Sequence, residues 1–135
     1  MRICFPKGVV FRSIYVVFED NTTLSYLKLL KRGFRHCYVL LNIEGTNNWL
    51  ELNPASNQLI FNYIEFPDDY DYIYALGKKD MVSICEVPIN LPIYKPAPLW
   101  FFTCVEFAKR SLGLHKAYIF TPYQLYKYLK RKGAK

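Results

Sequence analysis

Two apolar segments joined by a turn constrain this chain more than any other feature. Residues 34–43 read Phe-Arg-His-Cys-Tyr-Val-Leu-Leu-Asn-Ile, residues 49–53 read Trp-Leu-Glu-Leu-Asn, and Glu-Gly-Thr-Asn-Asn at 44–48 has the composition of a hairpin turn. Pairing Ile43 with Asn48 sets Leu40 opposite Glu51. Side chains alternate along a strand, so His36, Tyr38 and Leu40 then share a face with Trp49, Glu51 and Asn53. A slip of one residue would part them. A histidine in so apolar a strand and a glutamate between two leucines each ask for a polar partner, although Glu51 equally suits the solvent face of a one-sided sheet.

More strands surround this hairpin. Residues 8–18 (Gly-Val-Val-Phe-Arg-Ser-Ile-Tyr-Val-Val-Phe), 57–66 (Asn-Gln-Leu-Ile-Phe-Asn-Tyr-Ile-Glu-Phe) and 81–89 (Met-Val-Ser-Ile-Cys-Glu-Val-Pro-Ile) are rich in β-branched and aromatic residues. Residues 23–32 read as a helix, with Leu24, Leu27 and Leu29 or Leu30 at three- and four-residue spacing and Gly33 as its stop. Residues 72–76 are expected as a short strand or part of the acidic loop 67–71, and 116–120 as a short strand or extended piece. Pro92, Pro96 and Pro98 make 90–98 an extended connector. Thr121-Pro122-Tyr-Gln124 is a capping box that starts a terminal helix over 123–131. The order strand, helix, run of strands, helix, short strand, helix predicts an α+β fold, an antiparallel β-sheet packed by helices.

Length and composition narrow the function classes. The 135 residues suffice for one domain, expected to span 1–135, and 52% hydrophobic content excludes a disordered chain. No apolar run approaches the ~18 residues of a membrane span, and no signal peptide is visible, so cytoplasmic synthesis is expected. Cys4, Cys37, Cys85 and Cys104 form no Cys-x-x-Cys pair, and His36 and His115 lie far apart. Free thiols, no metal and no cofactor are therefore expected. The net charge of +7 is concentrated at the C-terminus in Lys127, Lys130, Arg131, Lys132 and Lys135. Such a tail suits nucleic acid or anionic lipid, and equally a solvated helix end whose cations complement the dipole.

A third helix starts at Thr103-Cys104-Val105-Glu106. Thr103 is the N-cap, and Glu106 is placed to reach back in a capping box. Cys104 then occupies the first helical position, where the helix dipole and unpaired N–H groups favour thiolate. The chain offers two bases for such a nucleophile, His36 and His115. His115 follows the cysteine helix among charged and turn-forming residues. His36 lies in an apolar strand, with Glu51 or Asn53 on the paired strand able to accept its ring N–H.

His on a strand, an acid on the next strand and Cys at a helix start resemble the circularly permuted papain-like enzymes. These are the NlpC-type amidases and peptidases, the YiiX-like group and their lecithin:retinol acyltransferase-like relatives. The likeness rests on Arg35-His36-Cys-Tyr-Val-Leu40, Trp49-Leu-Glu51-Leu-Asn-Pro54, Phe102-Thr-Cys104-Val-Glu-Phe-Ala-Lys-Arg-Ser-Leu-Gly113 and Phe120-Thr121-Pro122-Tyr-Gln-Leu-Tyr-Lys-Tyr-Leu129. It implies Cys104 as nucleophile, His36 as base and Glu51 as orienting residue, with Asn53 the alternative third member. It also implies a cysteine-dependent amide or ester hydrolase or acyltransferase acting on peptide, peptidoglycan or lipid acyl groups. The chain departs from the pattern in its short N-terminal portion, and it offers no second oxyanion donor beside the Cys104 N–H. The alternatives are an inactive papain-like module associated with other phage or virion proteins, which the richness in Lys, Asn, Tyr, Ile and Phe suits, and, third, a basic nucleic-acid-binding module.

Overall fold

A computed structural model of the protein describes residues 8–22, 24–55, 58–88 and 103–135. Five strands form one antiparallel sheet: β1 (Phe11–Glu19), β2 (His36–Ile43), β3 (Asn48–Pro54), β4 (Leu59–Glu65) and β5 (Ser83–Val87), in the order β4-β3-β2-β1-β5. Three helices join it, α1 (Tyr72–Gly77), α2 (Cys104–Ser111) and α3 (Pro122–Arg131). The fold is thus α+β with an antiparallel sheet, as the order of segments predicts.

The hairpin has the expected register, with Leu40 opposite Glu51 and Asn42 opposite Trp49. Strands β1 and β2 are apolar on both faces because both faces are covered. Val16, Phe18, Cys37, Val39, Leu41, Leu52 and Cys85 meet Val105, Phe107, Ala108, Leu125 and Leu129 of α2 and α3. Val17, Tyr38, Leu40 and Trp49 point the other way and meet Leu76 of α1 with Phe66, Tyr72 and Ile73. Each fully buried Val or Leu contributes about 1.5–3 kcal/mol by leaving water. The central strands therefore hold the sheet rigid between two cores, and β2, which carries His36, is among the best packed.

Three expectations change. Where a helix was expected over 23–32, Ser25–Leu29 forms a 3₁₀ turn. Leu24, Leu27 and Leu30 are half-buried, and Ser25, Tyr26, Lys28 and Leu29 between them are exposed. That strict period of three is the repeat of a 3₁₀ helix, whose side chains at i and i+3 eclipse; the period of 3.6 is absent. Residues 72–76 belong to helix α1, whose N-cap Asp71 accepts a hydrogen bond from the Tyr74 N–H at 2.9 Å. Their aromatic and β-branched content suggested strand, and the cap together with packing of Leu76 against the sheet overrides that weak propensity. Residues 116–120 are irregular, with a turn at 117–118. The expected connector at 90–98 and Cys4 lie outside the described residues.

The irregular loop is held by Lys109, a buried cation on α2. Its Nζ donates to the carbonyls of Lys116 and Ile119, both at 3.0 Å, and lies 2.8 Å from the Glu106 carboxylate. Two carbonyls and a carboxylate satisfy the ammonium and make its burial tolerable. Helices α2 and α3 end alike. Gly113 and Gly133 take positive φ, and the N–H groups of Leu114 and Ala134 return to the carbonyls of Lys109 and Leu129.

Candidate active site

Helix α2 begins as its sequence predicts. Thr103 caps it, accepting a hydrogen bond from the Glu106 N–H at 3.2 Å. The Glu106 carboxylate turns instead to Lys109 and Arg110, so only the Thr103 half of the expected capping box forms. Cys104 is the first helical residue and is half-buried against the core that contains Cys37.

His36 opens β2, and Asn53 sits near the end of β3. Continuing the β2–β3 register from Val39 opposite Leu52 places Asn53 opposite Tyr38, on the diagonal from His36. The ring Nε2 and Asn53 Oδ1 are 2.7 Å apart, and Asn53 Nδ2 donates to Glu51 Oε1 at 3.0 Å. The two bonds define each other. With its amide nitrogen donating to the carboxylate, Asn53 turns its oxygen to the histidine and accepts the Nε2–H. Nδ1 is then the ring nitrogen left for the thiol.

His36 points to the α1 face of the sheet, Cys37 to the α2 face, and Cys104 meets both where β2 begins. The thiol is held down to about 5. Hydrogen bonding from Cys37 is the largest cause; burial opposes it, and the hydrogen bond and positive charge of His36 add to it, as does the Cys37 backbone N–H. Burial works against a charged His36 ring, but Cys104, Asn53 and Glu19 outweigh burial and raise it above the ordinary imidazole value. Cys37 moves upward through its bond to Cys104 and through burial. The arrangement thus favours the thiolate form of Cys104 and the charged form of His36, the pairing of an activated cysteine nucleophile.

Of the residues singled out in the sequence, Cys104, His36, Asn53 and Glu51 come together. Asn53, the alternative third member, touches the histidine, and Glu51 accepts from Asn53 one link behind it. His115 is exposed in the loop after α2 and is not among the groups acting on Cys104. Two members escaped sequence reasoning. The sequence marks Cys37 only as one of the free thiols, and its place beside His36 at the start of a strand is the one signal of its contact with Cys104. Glu19, just past the 8–18 segment read as a strand, lies directly opposite His36 across β1 and β2. Burial raises its carboxyl, His36 draws it down and Glu51 raises it.

Asn53→Ala is expected to lower kcat about tenfold to a hundredfold by freeing the ring, with KM little changed. Glu51→Gln keeps an acceptor for the Asn53 amide and should cost less than about tenfold. Steady-state kinetics of the two variants on one substrate check the order of the relay; a larger loss for Glu51→Gln would reverse it.

Among the described residues no three His, Cys, Asp or Glu side chains gather as metal ligands, and no helix is long and apolar enough to cross a membrane. No family model matches the sequence, and no curated protein or solved structure matches it significantly.

Proposed function

We propose that this chain is a cysteine-dependent amide or ester hydrolase or acyltransferase built on a circularly permuted papain-like plan. The observation that carries the proposal is the hydrogen-bonded chain His36–Asn53–Glu51, with His36 acting on the thiol of Cys104 at the head of α2. The plan is supported by a histidine strand, its asparagine on the next strand, and a cysteine at the head of a helix packed on the same sheet.

The chemistry follows from the charge state. The Cys104 thiolate attacks a carbonyl carbon, and the negative charge passes to the carbonyl oxygen. The Cys104 backbone N–H, one of the first-turn donors with no intrahelical acceptor, is placed to stabilise that oxygen. The His36 imidazolium gives its proton to the departing nitrogen or oxygen, leaving a thioester on Cys104. The neutral ring then takes a proton from water, or from another acyl acceptor, as it attacks the thioester; thiolate and imidazolium are restored. Asn53 keeps the ring in one orientation and one tautomer throughout. Peptide, peptidoglycan and lipid acyl carbonyls all fit this sequence of steps.

The test is accumulation of the thioester. A panel of nitrophenyl esters and aminoacyl-coumarin amides should give a burst of product stoichiometric with protein, with a hydroxylamine-labile acyl group on the Cys104 peptide by mass spectrometry. Absence of a burst across the panel, or acylation spread evenly over Cys37, Cys85 and Cys104, would overturn the proposal.

A further inference from the structure

The 3₁₀ turn Ser25–Leu29 presents to solvent two large side chains that a globular surface would normally cover. Leu29 is 91% exposed and Tyr26 is 67% exposed. They are three residues apart, so on a 3₁₀ turn they stand one above the other on the same outer side. Cations surround them. Lys28, Lys31 and Arg32 are exposed, and residues 21–34 contain no acidic side chain. The nearest acid in sequence is Asp20, and it is already engaged, accepting from the Gly33 N–H and from Arg35 Nη1 at 3.1 Å.

The basic surface continues onto α3. The Lys31 ammonium lies 3.6 Å from the centre of the Tyr123 ring, and that of Lys127 lies 5.0 Å from it. Phe34 packs on the same tyrosine, with ring centres 5.1 Å apart, which joins the base of the turn to the start of α3. Lys130 and Arg131 extend the exposed positive charge along the helix. Arg35 Nη2 donates to the Lys28 carbonyl at 3.2 Å, so the turn is fastened beside His36, at the candidate-site end of the sheet.

We propose that this turn is a peripheral membrane-docking element, with Leu29 and Tyr26 entering the interface of an anionic bilayer and Lys28, Lys31, Arg32 and Lys127 meeting the lipid headgroups. Charge complementarity selects the anionic surface, since each Lys or Arg near such a leaflet adds to binding. The apolar tip selects a bilayer over a phosphate backbone. A tyrosine could stack on a base, but a bare leucine gains nothing from nucleic acid and gains much from an acyl boundary. Docking in this pose sets the Cys104–His36 end of the sheet beside the lipid surface. The inference stands without the catalytic proposal, because it concerns residues that take no part in the relay.

The experiment is co-sedimentation of the whole chain with vesicles of phosphatidylcholine, with and without about a third phosphatidylserine. Binding is expected to the anionic vesicles only and should weaken as salt is raised. Leu29→Ser should weaken it about tenfold or more. That side chain is almost wholly exposed, so the thermal midpoint of the variant should match the parent. Lys28→Glu and Lys31→Glu should each weaken binding about fivefold or more. Cys104→Ala should bind like the parent, which separates docking from chemistry. Equal binding to neutral vesicles, or unchanged binding by Leu29→Ser, would overturn the proposal. So would tighter binding to single-stranded DNA or RNA that ignores Leu29→Ser, an outcome that assigns the basic surface to nucleic acid.

Discussion

Cys104→Ala is expected to abolish turnover, a loss on the order of 10⁴-fold or more, and with it any acyl adduct on the α2 peptide. Among the described residues neither of the other two cysteines can take its place. Cys37 lies beside it but is fully buried, and its bond to Cys104 together with burial keeps it protonated. Cys85 is buried on β5, where burial raises it as well. The informative companion is Cys37→Ala. If Cys37 were only a core thiol, its removal would leave the nucleophile unchanged. The structure makes it the first cause of the low Cys104 value. A hydrogen bond to an ionised group contributes about 1.5–3 kcal/mol, or about one to two pKa units. Cys37→Ala should therefore keep most of its neutral-pH labelling by iodoacetamide and lose about tenfold near pH ~5, where the parent thiolate is still half formed. Labelling of Cys104→Ala equal to the parent would remove Cys104 from the mechanism. An unshifted pH profile in Cys37→Ala would remove Cys37 from the site.

How much of this was legible in the sequence depended on whether a local rule or a diagonal contact decided it. The hairpin register was legible because strand periodicity and turn composition agree, and one pairing then fixes all the others. The capped start of α2 was legible from Thr103 alone. Choosing between Glu51 and Asn53 was not possible, because they are two residues apart on one strand and share a face. Only the diagonal from Asn53 to His36 separates them, and strand twist sets that distance. Cys37 was hidden for the opposite reason. It faces away from His36, and nothing in a single strand says that one thiol will be approached from both faces. The leucines of 24–30 carried the right spacing for a 3₁₀ turn, but a three-residue repeat this short is also compatible with a helix.

His36→Ala is expected to lower kcat about a thousandfold, within the range for loss of a general acid–base. Its pH profile is more diagnostic than its size. In the parent, activity should rise as Cys104 ionises at about pH 5 and fall as His36 loses its proton, above the ordinary imidazole value. The ring is faced by Cys104 from α2, Asn53 and behind it Glu51 from β3, Glu19 from β1 and Tyr38 on its own strand. Removing the ring takes away one hydrogen bond and one positive charge that favour the thiolate, so the acid limb should move upward. The alkaline limb should vanish, since no imidazolium remains to deprotonate. Some thiolate should persist because Cys37 still donates to it, and iodoacetamide should continue to alkylate Cys104 at high pH. Glu19→Gln should give the complementary result, lowering the alkaline limb while leaving the acid limb nearly in place, because the carboxylate acts on the ring rather than on the sulfur. Alkylation rate against pH reads the acid limb of the parent and both variants without knowledge of the substrate, and turnover of an ester that acylates Cys104 reads the alkaline limb. An alkaline limb that survives in His36→Ala would mean that another group carries the proton, and the relay would have to be redrawn from Cys104 outward.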